Sequence, residues 1–516
     1  MWPTRCTDRP SRLPAQAVWP QWTQSVFSNT RNDDCVKIRH YIACDLGAES
    51  GRIILGTFNG EILTVKEVHR FGNAGVKVGN TLRWDVEAIF EEILTGLEKV
   101  GQRGISPDSV SCDSWGVDYV LVDKQGTLLS QPFHYRDQRN GPAFQRALQI
   151  VPAEEIFEET GIQFMPINTL YQLVDDLEHR REILTSAHKF FTIADYFNYR
   201  LSGVAVIEES LASTTQIYNP HTRTWSSTLI GWFGLPPHIF PKIVPSGTNL
   251  AQLRSSIEDR VGFSGCRVIA GCSHDTAAAV AGIPARGKSW AYLSSGTWSL
   301  LGTETHAPVI TALSREFNFT NEIGFGGTVR LLKNIPGMWI VQECKRRWKE
   351  EGREYSYDEL TRLAEDTPSS GALIDPLDNR FVSPDDMPGE IRQFCMGTNQ
   401  PVPESPGAIV RCILESLAHS YKEKLEQLEA VAGFSVDTLH VVGGGSRNAL
   451  LNRLTTIASG RKVLAGPGES SAVGNMLAQA ISLGHISTLD EGRAIVQASF
   501  SIEEYSGQGV VKEQRS

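Results

Sequence analysis

Residues 41–58 read YIACDLGAESGRIILGTF. An apolar run ends on Asp45, small residues carry the chain through Gly51, and a second apolar run closes at Phe58. Short apolar runs bounded by turn residues are strands, so this stretch is a strand, a tight turn and a second strand. EILTVKEVHRF (61–71) alternates like a third strand. Asp85 then precedes apolar residues at Val86, Ile89, Phe90, Ile93, Leu94, Leu97 and Val100. That spacing is one face of a capped helix packed on a sheet. DSVSCDSWGVDYVLVD (108–123) reads as a strand pair turning at Gly116.

The plan restarts in the second half. WAYLSSGTWSLLGTE (290–304) is again strand, small-residue turn, strand. VDTLHVVGGGSRNALLNRLTTIAS (436–459) is a strand, a glycine loop and a helix with an apolar stripe at Leu450, Leu451, Leu454 and Ile457. KVLAGPGESSAVGNMLAQAISLG (462–484) repeats the strand-to-helix plan. The expected fold class is α/β, with two lobes over 40–287 and 288–500 and a tail over 501–516. Residues 1–39 have no apolar period and no signal-peptide core, and are expected to be a disordered extension.

Composition removes several classes. The 516 residues carry 49 basic and 59 acidic side chains, a net charge of −10, which argues against a general nucleic-acid binder. No apolar run approaches the length of a membrane span. The nine cysteines are scattered without a CxxC, against both a zinc site and a disulfide framework.

Four segments carry chemistry. In DLGAESGR (45–52), Gly47, Ala48, Ser50 and Gly51 let backbone amides approach a phosphate, and Asp45 at a strand end can hold water on a magnesium ion. An ordinary hairpin turn explains the same residues equally well. Ser294–Thr297 offers hydroxyls on a second small-residue turn. Gly443, Gly444 and Gly445 precede a helix, whose dipole favours anions. In VIAGCSHDTAAAV (268–280), Asp275 follows an apolar strand and opens a helix of small residues. A carboxylate there can accept a hydroxyl proton during attack on phosphorus. The commoner alternative is that Ser273 or Asp275 merely caps the helix. GIPARGKS (282–289) spells a phosphate loop, but a helix precedes it and a strand follows, the reverse of what that loop requires.

DLGAESGR, DSWGVDYVLVD, YRDQR, GIQFMPINTLYQL, DYFNYRLSG, SHDTA, YLSSGTWSLLG, LLKNIPGMWIVQE and GGGSRNALLN occur in this order from residue 45 to residue 452. They resemble the FGGY carbohydrate kinases, most closely the rhamnulokinase branch. The resemblance implies two actin-like, ribonuclease H-like lobes around a cleft. It implies a cytoplasmic enzyme, monomeric or weakly dimeric, that uses ATP and Mg²⁺ to phosphorylate L-rhamnulose on its 1-hydroxyl. It implies Asp275 as proton acceptor and Gly116, His274, Asp275, Thr276 and Asn334 at the sugar. Ala48, Glu49, Ser50, Gly51, Arg52, Thr297, Gln342 and Gly444 fall to ATP, and Asp45 to the metal. The family loop commonly has serine where this chain has Glu49. A carboxylate repels a triphosphate, so Glu49 is expected to face solvent. Kinases for L-fuculose or a pentulose, or a catalytically silent sugar sensor, are the rival readings.

Overall fold

Each of the two hairpins seeds a sheet. The computed structural model describes residues 37–382, 384–507 and the strand 510–514. The expected extension over 1–39 lies outside it up to residue 36. In the first sheet, β1 (Arg39–Leu46) pairs antiparallel with β2 (Ser50–Phe58), which pairs with β3 (Leu63–Gly72). On its other side β1 runs parallel to β4 (Ser109–Ser114). With β5 (Thr248–Gln252) and β6 (Arg267–Ala270) the order is β5-β6-β4-β1-β2-β3. The second sheet contains β7 (Trp290–Ser295), β8 (Trp298–Thr305), β9 (Thr320–Ile323), β10 (Val329–Pro336), β11 (Thr438–Val442), β12 (Lys462–Ala465), β13 (Ile502–Ser506) and β14 (Val510–Gln514). Its order is β9-β10-β8-β7-β11-β12-β13-β14. The series β3-β2-β1-β4-β6 and β10-β8-β7-β11-β12 share order and direction, so the same ribonuclease H-like core occurs twice.

β1 is apolar from Tyr41 to Cys44 because both its faces are covered. Ile42, Cys44 and Leu46 pack with the stripe of α1 (Val86–Gly101), whose cap Asp85 accepts the amide of Ala88. Tyr41 and Ala43 pack instead with Val473, Met476 and Leu477 of α6 (Ser470–Ser482), from the far end of the chain. The helices α2 (Asp275–Ala281), α3 (Trp339–Glu350), α4 (Pro406–Ala432) and α5 (Ala449–Ser459) complete the scaffold that matters here. α2 and α6 touch through alanine, serine and glycine. A Cβ on Gly474 would lie 1.8 Å from the carbonyl oxygen of Ala278, so only glycine lets α2 come this close.

Several expectations are corrected. β4 and Tyr119–Val122 are both strands but do not pair. β1 and β6 already occupy the two edges of β4, and Tyr119–Val122 pairs with Lys189–Thr192 after Val117 turns the chain at φ 68°. Residues 501–516, expected as a tail, supply β13 and β14, because Ile502 and Tyr505 are buried against the core. Ile457 is 72% exposed: α5 faces inward through Leu450, Leu451, Thr455 and Thr456. Gly282–Ser289 joins α2 to β7, the helix-then-strand order expected. The seven described cysteines are buried and unbonded, Cys395 and Cys412 included. No described helix is long and apolar enough to cross a membrane.

Candidate active site

The two hairpin turns face each other across a cleft of about 510 Å³, within the usual range for a small-molecule site. One wall holds Asp45, Ala48, Glu49, Ser50 and Arg52 from the β1–β2 turn, Gly116 after β4, and His274, Asp275 and Thr276 at the start of α2. The opposite wall holds Thr297 from the β7–β8 turn, Asn334 on β10 and Gly444 after β11. Two residues expected here stand back. Gly51 sits in β2, where a Cβ would be 2.1 Å from the Phe71 ring, so packing accounts for this glycine. Gln342 on α3 reaches the wall only through its Nε2–H, donated to Thr297 Oγ1 at 3.3 Å.

Asp275 is the first residue of α2 and does not cap it. The cap position is His274, whose side chain makes no capping bond to the helix, and the Ser273 hydroxyl donates elsewhere, to Asp195 Oδ1 at 3.0 Å. Thr276 Oγ1 donates to Asp275 Oδ1 at 3.0 Å, and the Asp275 side chain stays 29% exposed to the cleft. The capping alternative is therefore removed, and a partly solvated carboxylate faces the cavity. α2 has only seven residues, and the triple glycine continues as a 3₁₀ turn over Gly444–Arg447 before α5 begins at Ala449. No glycine opens α5 directly.

The β1–β2 turn is stapled from inside. Gly47 N donates to Ser50 O at 3.0 Å, and buried Asn73 donates its side-chain N–H to Gly47 O at 2.8 Å and its backbone N–H to Glu49 O at 3.0 Å. Glu49 is exposed, as its charge requires, but it does not turn away from the cleft. Its Oε1 accepts the Thr297 hydroxyl at 3.2 Å from the opposite turn. Arg52 forms ion pairs with Asp45 and with Glu469, and Arg447 donates to Glu469 at 2.7 Å. Burial opposes the Arg52 charge, yet Asp45 and Glu469 outweigh it and raise its pKa. Burial raises the Asp45 carboxyl against the pull of Arg52, with Asp275 and Glu469 adding to the rise.

Asp113 pairs in register with Asp45 on β4. Its Oδ2 accepts Asn475 Nδ2–H at 2.6 Å, its Oδ1 has no partner, and burial followed by the Asp45 charge pushes it well up. A hard divalent ion takes oxygen ligands and needs only one or two carboxylates beside a substrate phosphate. This oxygen-only pair, with one orphaned atom, fits such an ion. No group of three or more His, Cys, Asp or Glu among the described residues forms a cage.

Sequence reading missed the floor and the clasps of the cleft. Trp115 and Tyr135 line it, fixed by buried Asp118, which accepts Trp84 Nε1–H at 2.6 Å, Trp115 Nε1–H at 3.0 Å, Gln172 Nε2–H at 3.0 Å and Tyr135 N–H at 3.2 Å. Burial pushes Asp118 up to about 6 against these bonds. Gln163 Oε1 accepts both the backbone N–H of Asn334 at 2.9 Å and its side-chain N–H at 3.1 Å, joining the walls. Tyr135 and Gln163 lie inside YRDQR and GIQFMPINTLYQL, the signal that could have found them.

Comparison with known proteins follows the same division. The FGGY family of carbohydrate kinases matches with its N-terminal domain over residues 40–282 and its C-terminal domain over 291–483. A rhamnulokinase of Bacteroides thetaiotaomicron is 42% identical over 470 residues, covering 91% of this chain and 96% of that one. One from Enterococcus faecalis is 43% identical over 474 residues, covering 91% and 94%. Among solved structures, a gluconate kinase from Lactobacillus acidophilus has a TM-score of 0.74 at 15% identity, covering 93% of each chain. A Plasmodium falciparum glycerol kinase with ADP has a TM-score of 0.74 at 14% identity, covering 90% and 94%.

Proposed function

The chain belongs to the FGGY family of carbohydrate kinases, and on that premise we propose that it phosphorylates L-rhamnulose on the 1-hydroxyl. The products are L-rhamnulose 1-phosphate and ADP, and the setting is L-rhamnose catabolism in the cytoplasm. The observation that carries this reading is Asp275, a carboxylate on the cleft wall that is not used to cap its own helix. The match to rhamnulokinases over nine-tenths of the chain supports the choice of ketose.

In this reading Gly116, His274, Asp275, Thr276 and Asn334 surround the sugar. The turn 48–50, Arg52, Thr297 and Gly444 surround the triphosphate, and Gln342 acts through Thr297. Asp275 takes the proton of the 1-hydroxyl as its oxygen bonds to the γ-phosphorus and the bond to the bridging oxygen of ADP breaks. Positioning and charge neutralisation supply most of the rate in such a loose transition state. Asp45 and Asp113 would hold Mg²⁺, which when bound would supply neutralisation of phosphate charge. The Gln163–Asn334 clasp and the aromatic floor keep water, the competing acceptor, away.

A panel of 2-ketoses with ATP and Mg²⁺, read by ADP release, tests this. L-Rhamnulose should give the highest kcat/KM. A higher value for L-fuculose or a pentulose contradicts the substrate, and ADP release that ignores ketose contradicts the reaction.

A further inference from the structure

His274 stands next to Asp275 with its ring buried in the cleft wall, and two charged residues of the opposite lobe reach it. Glu322 on β9 and Arg330 on β10 are direct cross-strand partners. Arg330 is fully buried. Its Nε–H donates to Ile323 O at 3.3 Å, and its Nη2 lies 3.0 Å from both Glu322 Oε2 and His274 Nδ1. Glu322 Oε2 is 3.4 Å from the same ring nitrogen. On the far side of the ring, Nε2 is 3.5 Å from Asp275 Oδ1. It also borders the gap at Gly116, where a Cβ would approach it to 3.5 Å.

We propose that Arg330, held by Glu322, is a positioning residue that fixes His274 as the Nε2–H tautomer, so that the second lobe determines which hydrogen-bonding group His274 offers to the ketose. A guanidinium has only donors and stays charged. At 3.0 Å from Arg330, Nδ1 therefore has to accept, which leaves the single imidazole proton on Nε2. The opposite tautomer would set N–H against N–H where water cannot screen them. Glu322 makes a buried guanidinium tolerable here. Burial raises its carboxyl, and the Arg330 charge is the largest influence pulling it back down.

The Nε2–H then points into the space between Gly116 and Asp275. It donates to an oxygen of the ketose, and a donor at that position does not compete with Asp275 for the hydroxyl proton. Arg330 and His274 come from the two different halves of the chain, so the tautomer is set only where the lobes meet. The ketose as acceptor rests on the proposed kinase reading; the tautomer does not.

The test begins with two-bond proton–nitrogen correlation spectra of the full chain labelled on histidine nitrogen, with His274 assigned by the signals lost in His274→Gln. We expect an unprotonated Nδ1 and a protonated Nε2 at neutral pH. A protonated Nδ1, in a neutral or a cationic ring, overturns the proposal. In Arg330→Met, the Nδ1 signal should shift toward the protonated form, paired with Glu322. The KM for ketose should rise about tenfold to a hundredfold, while the KM for ATP stays put. His274→Gln, whose amide keeps an N–H near Nε2, should retain more ketose affinity than His274→Ala. An unchanged ketose KM in a folded Arg330→Met overturns the proposal, and if that variant does not fold the wild-type spectrum decides alone. Absence of ketose-dependent ADP release would remove the kinase reading and leave the tautomer result intact. A wrong tautomer in an active kinase would do the reverse.

Discussion

Replacing Gly474 by alanine places a methyl group 1.8 Å from the backbone oxygen of Ala278, where contacts under 3.0 Å essentially never occur. That oxygen belongs to α2, so α2 has to move from α6 as a unit, by at least about 1.2 Å. Asp275 is the first residue of α2 and moves with it. A displacement of about 1 Å at a reacting group costs about a hundredfold in rate. Stability should suffer far less. Overpacking costs about 1–3 kcal/mol. Alanine in a helix interior regains about 1 kcal/mol over glycine. We expect Gly474→Ala to stay folded, to lose at most about 2 kcal/mol, and to lose about two orders of magnitude in kcat. ADP release at saturating ketose and ATP, beside a thermal melt, measures both. Full kcat would refute the reasoning that the α2–α6 contact places Asp275.

Two further perturbations are informative. Glu49→Gln keeps the acceptor for Thr297 and removes a charge facing the proposed triphosphate position. Unit charges about 4 Å apart in water repel by about 1 kcal/mol, so the KM for ATP should fall about fivefold, and a rise contradicts the placement of the carboxylate. His440 is buried on β11, its Nδ1 has no partner, and burial, then Arg493 and Lys462, holds it down to about 3. An unfolded histidine titrates near 6.5, so the folded chain binds fewer protons between these values. The stability linked to His440 is complete above about 6.5 and is lost as pH falls from there toward 3. The unfolding free energy of wild type relative to His440→Gln should drop by about 1.4 kcal/mol per pH unit in that window; a constant difference in urea titrations contradicts it.

Local pattern was enough for the elements that start each lobe. The apolar runs around Asp45 and after Trp290 are strands because both faces are covered, and α1 buries its apolar stripe. Asp275 was legible as a strand-end acid before a small-residue helix. The pieces that hold the cleft together were not, because each depends on a partner far along the chain. Asn73 staples the 47–50 turn, Glu469 bridges Arg52 and Arg447, and Gln163 meets Asn334 171 positions later. An isolated amide or carboxylate carries no period that announces such a partner. Pairing was misread for the same reason: β4 had its edges filled by β1 and β6, which the local run 108–123 does not reveal. Gly51 shows the ambiguity of a small residue, since tight packing on Phe71 and backbone approach to a phosphate both ask for glycine.

Asp275→Asn tests the central claim most directly, because the substitution keeps size and shape and removes only the ability to take a proton. Calorimetry should show ketose binding close to wild type, while kcat falls by about 10²–10⁴-fold. Turnover within a fewfold of wild type would mean that the proton leaves by another route and that Asp275 is not the base.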